Sequence, residues 1–261
     1  MNVNLNGNIP GLRKTYRDIF NERGLLYHKA MVEVPEARCC EFEYVIAMTD
    51  LANGYALCDA PSGGAYLADF IKSKDISCHA VETSEIFARE ALKRPRVQTI
   101  LCKDLRAIPL ADAMFDAAIS LAGVHHLESK PLFYKEIRRL LKSEGIFGLA
   151  DVMQGSNVDH FLNEFVDRHC SMGHNGAFLN ETTLAELEAS GFDIESAEEK
   201  NYHWYFESAT QMGRYCKQLF GLDRANEAEV VEGIKDYLGY EDDSGTCRMN
   251  WGLYFIRARR S

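Results

Sequence analysis

The residues of this chain best suited to chemistry are the small ones that end its first apolar run. In Ala56-Leu57-Cys58-Asp59-Ala60-Pro61-Ser62-Gly63-Gly64-Ala65-Tyr66-Leu67 that run passes into a small-residue turn and then into an amphipathic segment. The order predicts strand, loop and helix. Small side chains let a ligand approach the backbone, and the first N–H groups of the next helix have no partner within it. No Lys or Arg lies between Ala56 and Ile71, whereas a phosphate loop requires Lys followed by Ser or Thr, so a nucleoside triphosphate fits poorly. The expected ligand is not strongly anionic.

Glu82 ends a second run, Ser77-Cys78-His79-Ala80-Val81, where its two oxygens can accept from both hydroxyls of a ribose. An acid there equally suits the start of a helix near Thr83. Lys103-Asp104-Leu105-Arg106-Ala107-Ile108-Pro109-Leu110 supplies another acid after a third strand, and Phe115-Asp116-Ala117-Ala118-Ile119-Ser120 leads to His125-His126-Leu127. His125 or His126 can take a proton from a hydroxyl, amine or thiol, or can pack against the next helix, and the sequence does not separate the two. The stretch containing His160, His169, Cys170, Met172, His174 and Asn175 repeats no zinc spacing, so no metal is expected. His174, within Gly173-His174-Asn175-Gly176, is placed on a loop from which it can reach a ligand.

These groups need a scaffold that brings strand ends together. Strand-like runs at 55–59, 77–82, 98–102, 115–121 and 145–151 alternate with helical stretches such as 84–93 and 130–142, which predicts a parallel sheet covered on both faces. Before it, residues 10–50 carry apolar positions at helical spacing, among them Leu12, Tyr16, Phe20, Tyr27 and Met31. The expected division is a helical cap or lid over residues 1–50 and one domain over 51–261, with a helical insert at about 207–245. Two late strands, one through about Phe206 and one over 251–257, predict an antiparallel edge, and the polar run 240–245 is expected to be a solvated loop.

Composition narrows the partners. With 261 residues and a net charge of −10, the chain suits a small-molecule ligand better than nucleic acid or an anionic membrane. Met1-Asn2-Val3-Asn4-Leu5-Asn6 has neither a basic nor an apolar leader region, and no apolar run approaches the roughly 20 residues that span a bilayer, so a cytoplasmic location is expected. Eight cysteines without a Cys-x-x-Cys pair are expected to be reduced thiols.

Taken together, Asp59 to Ala65, Glu82, Asp104 to Leu110, Phe115 to Leu127 and Glu136 to Phe147 resemble the class I S-adenosylmethionine-dependent methyltransferases. The resemblance covers about residues 50–155 and the terminal strand pair. It implies a Rossmann-like, seven-stranded, mostly parallel sheet with an antiparallel last strand, helices on both faces, and S-adenosyl-L-methionine as cofactor. Asp59, Ala60, Pro61, Ser62, Gly63, Gly64 and Tyr66 would form the cofactor loop, with Asp59, Ser62, Gly63 and Gly64 around the methionine part. Glu82 would hold the ribose, Asp104 and Leu105 would meet the adenine, and Ser120 and Leu121 would line the path to the sulfonium. Pro61 and Ala65 depart from the usual Asp-x-Gly-x-Gly-x-Gly loop by replacing two glycines.

The implied activity is methyl transfer to a small-molecule oxygen, nitrogen, sulfur or carbon, by a monomer or homodimer. Tyr27, His28 and Met31 on one helical stretch, Tyr202 and Trp204 on one strand face, and His174 are candidates to hold the acceptor, although aromatic stripes also build cores. Cyclisation or displacement at the aminobutyrate carbon uses the same cofactor, and a nicotinamide oxidoreductase or a non-catalytic binding protein is a more distant alternative.

Overall fold

The computed structural model describes residues 15–72, 75–127, 129–243 and 245–261, so Leu12 and the leader run expected to lack a targeting signal lie outside the described residues. Its central strand β1 (Ala56–Asp59) pairs in parallel with β2 (Ser77–Glu82) on one side and β4 (Phe115–Leu121) on the other. β3 (Val97–Leu101) extends the sheet beyond β2, and β5 (Leu141–Asp151) extends it beyond β4, again in parallel. Successive side chains of β1 and β4 serve opposite cores. Leu57, Ala117 and Ile119 join one cluster while Cys58 and Ala118 join the other, which is why these strands read as unbroken apolar runs.

The expected antiparallel edge is present. β8 (Thr246–Arg260) runs between β5 and β6 (Phe192–Phe206), antiparallel to both, in the order β3-β2-β1-β4-β5-β8-β6. An eighth strand joins these seven. β7 (Tyr240–Asp243) pairs with β8 where composition predicted a solvated loop, its acids exposed and Glu241 meeting Arg248 at 2.7 Å. Backbone pairing with a long neighbour overrides composition here, and a short charged edge discourages further strand addition.

Helix α1 (Tyr16–Glu33) starts at a reciprocal cap between Thr15 and Asp18, and α2 (Cys39–Ala47) follows it. Phe20 of α1 packs on Phe87 of α3 (Glu85–Ala91) at 4.9 Å between ring centroids. Phe42 and Val45 of α2 enter the main core. α4 (Lys130–Leu140) covers the other face of the sheet; α5 (Asn157–His160), a π-helical stretch (Phe161–Val166) and α6 (Asp167–His169) run on as one helix, and α7 (Thr183–Ala189) precedes β6. The late helical insert is α8 (Ala209–Phe220) and α9 (Glu227–Tyr237), divided at Gly221, whose φ of 66° ends the first helix. No helix among the described residues is long and apolar enough to cross a membrane, and all eight thiols are free of disulfides.

Candidate cofactor and acceptor site

Asp59, Glu82, Leu121 and Asp151 end parallel strands at one edge of the sheet. The segment after β1 packs into one core and α4 after β4 packs into the other, so a crevice opens between the ends of these two neighbours. Its floor is the loop after β1. Ser62 N–H donates to Val81 O at 3.0 Å, and Gly63 and Ala65 both have φ of 56°. Glycine accepts this left-handed geometry freely; Ala65 holds it at a cost of roughly 1–2 kcal/mol. The loop after β4 comes as close as glycine allows, for a Cβ on Gly123 would sit 2.4 Å from Pro61 Cγ.

Glu82 is buried and anchors this loop. Its Oε1 accepts from the N–H groups of Thr83 (2.6 Å) and Ser84 (2.8 Å), and its Oε2 accepts from Gly63 N–H (2.8 Å) and the Tyr16 hydroxyl (2.9 Å). Burial pushes its carboxyl up to about 7 against the pull of these four donors. Asp59 is also buried, its Oδ2 has no hydrogen-bond partner, and burial together with the charge of Glu82 holds its carboxyl well above the usual range. Ser120 Oγ, one strand away, is buried and unpartnered as well. Unsatisfied buried oxygens of this kind cost of order 1–3 kcal/mol each unless a ligand serves them.

A cavity of about 60 Å³ lies over the loop, bounded by Asp59, Pro61, Ser62, Gly63, Tyr66 and Leu121, and on the cap side by Tyr16, Phe20 and Tyr27. That volume holds about two waters. A groove of about 430 Å³ adjoins Thr83, Asp104, Leu105, Arg106 and His126. Tyr16 lines both spaces and stands between them.

The remaining candidates fall into separate places. Ala60 is buried and its N–H ties β1 to Ile119 O; Gly64 backs the ring of Tyr66, and its carbonyl accepts from Arg94 at 2.6 Å. Asp104, 40% exposed, is paired with Arg106 at 2.8 Å, while Leu105 is buried. Tyr27 reaches the cavity, whereas His28 lies behind Tyr66, within 3.0 Å of its hydroxyl and 3.1 Å from Glu90. Met31 is in the core under the Tyr215 hydroxyl. Tyr202 and Trp204 do not reach this cavity: both are buried, both donate to Glu41 Oε2 (3.0 and 3.2 Å), and Arg38 closes the far side of that carboxylate. Their alternate spacing marked a core stripe.

His125 and His126 follow β4 in a short 3₁₀ turn (Val124–His126) beside His174, with ring centroids 4.1 to 5.6 Å apart. His125 Nδ1 lies 2.7 Å from Asp151 Oδ1, and its backbone N–H donates to Oδ2 at 3.1 Å. His126 instead faces the rings of Tyr16 and Phe20, at 5.8 and 5.6 Å. Asp151, Tyr16 and Asn163 were not among the expected site residues. Asp151 carried the same signal as Glu82, an acid ending a parallel strand, whereas nothing local to Tyr16 or Asn163 shows what each one meets.

The stretch from β1 to β5, residues 58–149, matches the family described as a methyltransferase domain. Over that stretch the chain is similar to the S-adenosylmethionine-dependent methyltransferases. The methyltransferase match extends to two curated relatives. The chain is 29% identical over 129 residues to a malonyl-[acyl-carrier protein] O-methyltransferase of Pseudescherichia vulneris, covering 49% of this chain and 50% of that protein. It is 27% identical over 130 residues to a sterol 24-C-methyltransferase of Gibberella zeae, covering 46% and 34%. The chain therefore spans half or less of the length of these relatives. A methyltransferase structure from Thermotoga maritima shares the fold with a TM-score of 0.63 and 17% identity, covering 94% of this chain and 99% of that one. S-adenosylmethionine is the cofactor this domain implies, and the unpartnered Asp59 Oδ2 beside a glycine loop can accept from an amine.

Proposed function

We propose that this chain transfers the methyl group of S-adenosylmethionine to a small-molecule acceptor. The supporting observation is the pair of buried carboxyls, Asp59 with an oxygen unpartnered and Glu82 on the next strand, flanking a loop in left-handed geometry. In this reading Asp59 pairs with the methionine amine, Glu82 accepts from the ribose hydroxyls, and Asp104 and Leu105 border the adenine. Ser120 and Leu121 border the path of the methyl group. When bound, the cofactor supplies an electrophilic methyl on a sulfonium. The protein's part is to align an acceptor in line with it and keep water out, which accounts for much of the acceleration of such displacements.

Helix α1 acts as the lid. Tyr16 and Phe20 occupy space over the loop, so α1 retreats to admit a nucleoside and its aromatic rings then cover the acceptor. Tyr27 faces the same space. The acceptor's proton leaves at the imidazole cluster, where Asp151 orients His125. A small neutral or cationic acceptor suits a protein of net charge −10 better than nucleic acid.

Product analysis after incubation with S-adenosylmethionine and a panel of hydroxyl, amine, thiol and activated-carbon acceptors tests this reading. S-adenosylhomocysteine together with an acceptor heavier by one methylene supports it. Methylthioadenosine in place of S-adenosylhomocysteine contradicts it and assigns attack at the aminobutyrate carbon.

A further inference from the structure

Three imidazoles from two distant stretches of the sequence meet beside the proposed acceptor space. His125 and His126 come from the turn after β4, and His174 comes from the loop after α6. One ring nitrogen of each lies within 4.8 Å of those of the other two.

Two of the rings are fixed from behind. Asp151 Oδ1 meets His125 Nδ1 at 2.7 Å, and Asn163 Oδ1 meets His174 Nδ1 at 3.1 Å. Asp151 Oδ1 already accepts from Val152 N–H and an amide oxygen only accepts, so the geometry has both imidazoles donating from Nδ1 with the lone pair on Nε2. The supports are themselves rigid. Asp151 also accepts from the backbone of His125 and Val152; Asn163 accepts from Gly176 N–H, and Asp167 accepts from His174 N–H. Ring packing against Phe178 needs no such arrangement, whereas a carboxylate or amide oxygen behind a ligating histidine is the usual outer support of a metal centre.

We propose that His125, His126 and His174 form a binding site for one divalent transition-metal ion, of the zinc or iron(II) class. Imidazole nitrogens suit these ions, while magnesium and calcium prefer oxygen ligands. Metal–nitrogen bonds of about 2.0–2.1 Å place tetrahedral ligand atoms roughly 3.3 Å apart, so the cluster closes by rotation of its half-buried member, His126. Three protein nitrogens leave a coordination position open, as in catalytic rather than structural zinc sites. His126 also lines the groove beside Tyr16 and Leu105, so that position adjoins the acceptor space and takes an oxygen-bearing ligand. With the ion bound these imidazoles ligate, and do not themselves take the acceptor's proton. The binding site rests on these side chains and their supports; only its use by an acceptor rests on the methyl-transfer reading.

The test uses the tag-free full chain, stripped with a chelator, dialysed and titrated with Co²⁺ under absorption spectroscopy, with metal content read by mass spectrometry. The expected result is one Co²⁺ per chain, visible bands of a nitrogen-ligated ion, and displacement by Zn²⁺. His126→Ala and His174→Ala each weaken binding by at least about tenfold, Asp151→Asn weakens it by about 10–100-fold, and His160→Ala, remote on α5, leaves it unchanged. A folded wild-type chain that binds no Co²⁺ below about 1 mM overturns the proposal, as does equal binding by the His126 and His174 variants. The wild-type titration decides the matter where a variant fails to fold. Loss of S-adenosylmethionine binding with Co²⁺ binding intact would count against the methyl-transfer reading alone.

Discussion

The Tyr16 hydroxyl donates to Glu82 Oε2 at 2.9 Å across 66 residues of sequence, which places a residue of the first helix on the oxygen proposed to hold the cofactor ribose. The same side chain divides the cavity over the loop from the groove beside Asp104. Cofactor and tyrosine therefore compete. Tyr16→Phe removes one hydrogen bond to a charged group, a contribution of about 1.5–3 kcal/mol, and the Kd for S-adenosylmethionine is expected to fall roughly tenfold by calorimetry. Unchanged or weaker affinity would show that Tyr16 stays with Glu82 in the complex.

Glu82→Ala is expected to weaken S-adenosylmethionine binding by about ten- to hundredfold, since two ribose hydroxyls lose a charged acceptor. Gly63, Thr83 and Ser84 lose theirs too, so the melting temperature falls as well. Near-normal affinity in the folded variant would remove Glu82 from the ribose role.

The Glu82 carboxyl sits at about 7 in the fold against an ordinary 4.5, so burial makes the fold hold this proton to a higher pH than the unfolded chain does. A raised value means a contribution present below pH 4.5 and lost as pH climbs through 7, of order 3 kcal/mol at most. Asp104 and Asp116, held low by Arg106 and by Ala56 and Lys142, act in the opposite direction and only at acid pH. Thermal melts of the cofactor-free chain should show stability declining from pH 5 to 8. Saturating S-adenosylmethionine should flatten that slope by pairing with the ionised carboxylate; a slope the cofactor leaves unchanged would contradict the assignment.

Most of the scaffold was legible because its signals are local. Apolar runs ending in Asp59, Glu82 and Ser120 mark strands whatever surrounds them, and the order of acids and small residues along the chain carries the family resemblance. The hairpin at Tyr240–Asp243 was illegible because its pairing partner, not its composition, makes it a strand. Tyr202 and Trp204 show the limit of periodicity: the spacing revealed one face, but only the buried Glu41 shows that the face is turned into the core. The imidazole cluster is the extreme case, since His174 stands 48 positions from His126 and no spacing rule joins them.

His125→Gln is expected to lower kcat by about 10²–10⁴-fold, whether His125 takes the acceptor's proton or ligates an ion, with S-adenosylmethionine affinity preserved because Glu82 and Asp59 remain in place. Asp151→Asn should lower it less, since an amide still offers an oxygen to Nδ1. Single-turnover kinetics with saturating cofactor check both. Wild-type rates in both variants would leave alignment alone to account for transfer.

The central claim is that the Asp59–Glu82 crevice binds S-adenosylmethionine, and calorimetric titration of the intact chain with S-adenosylmethionine and, separately, NADH tests it most directly. The account predicts one S-adenosylmethionine per chain, affinity lowered about ten- to hundredfold in Glu82→Ala, and no heat from NADH. Binding of NADH, with S-adenosylmethionine silent, would contradict it.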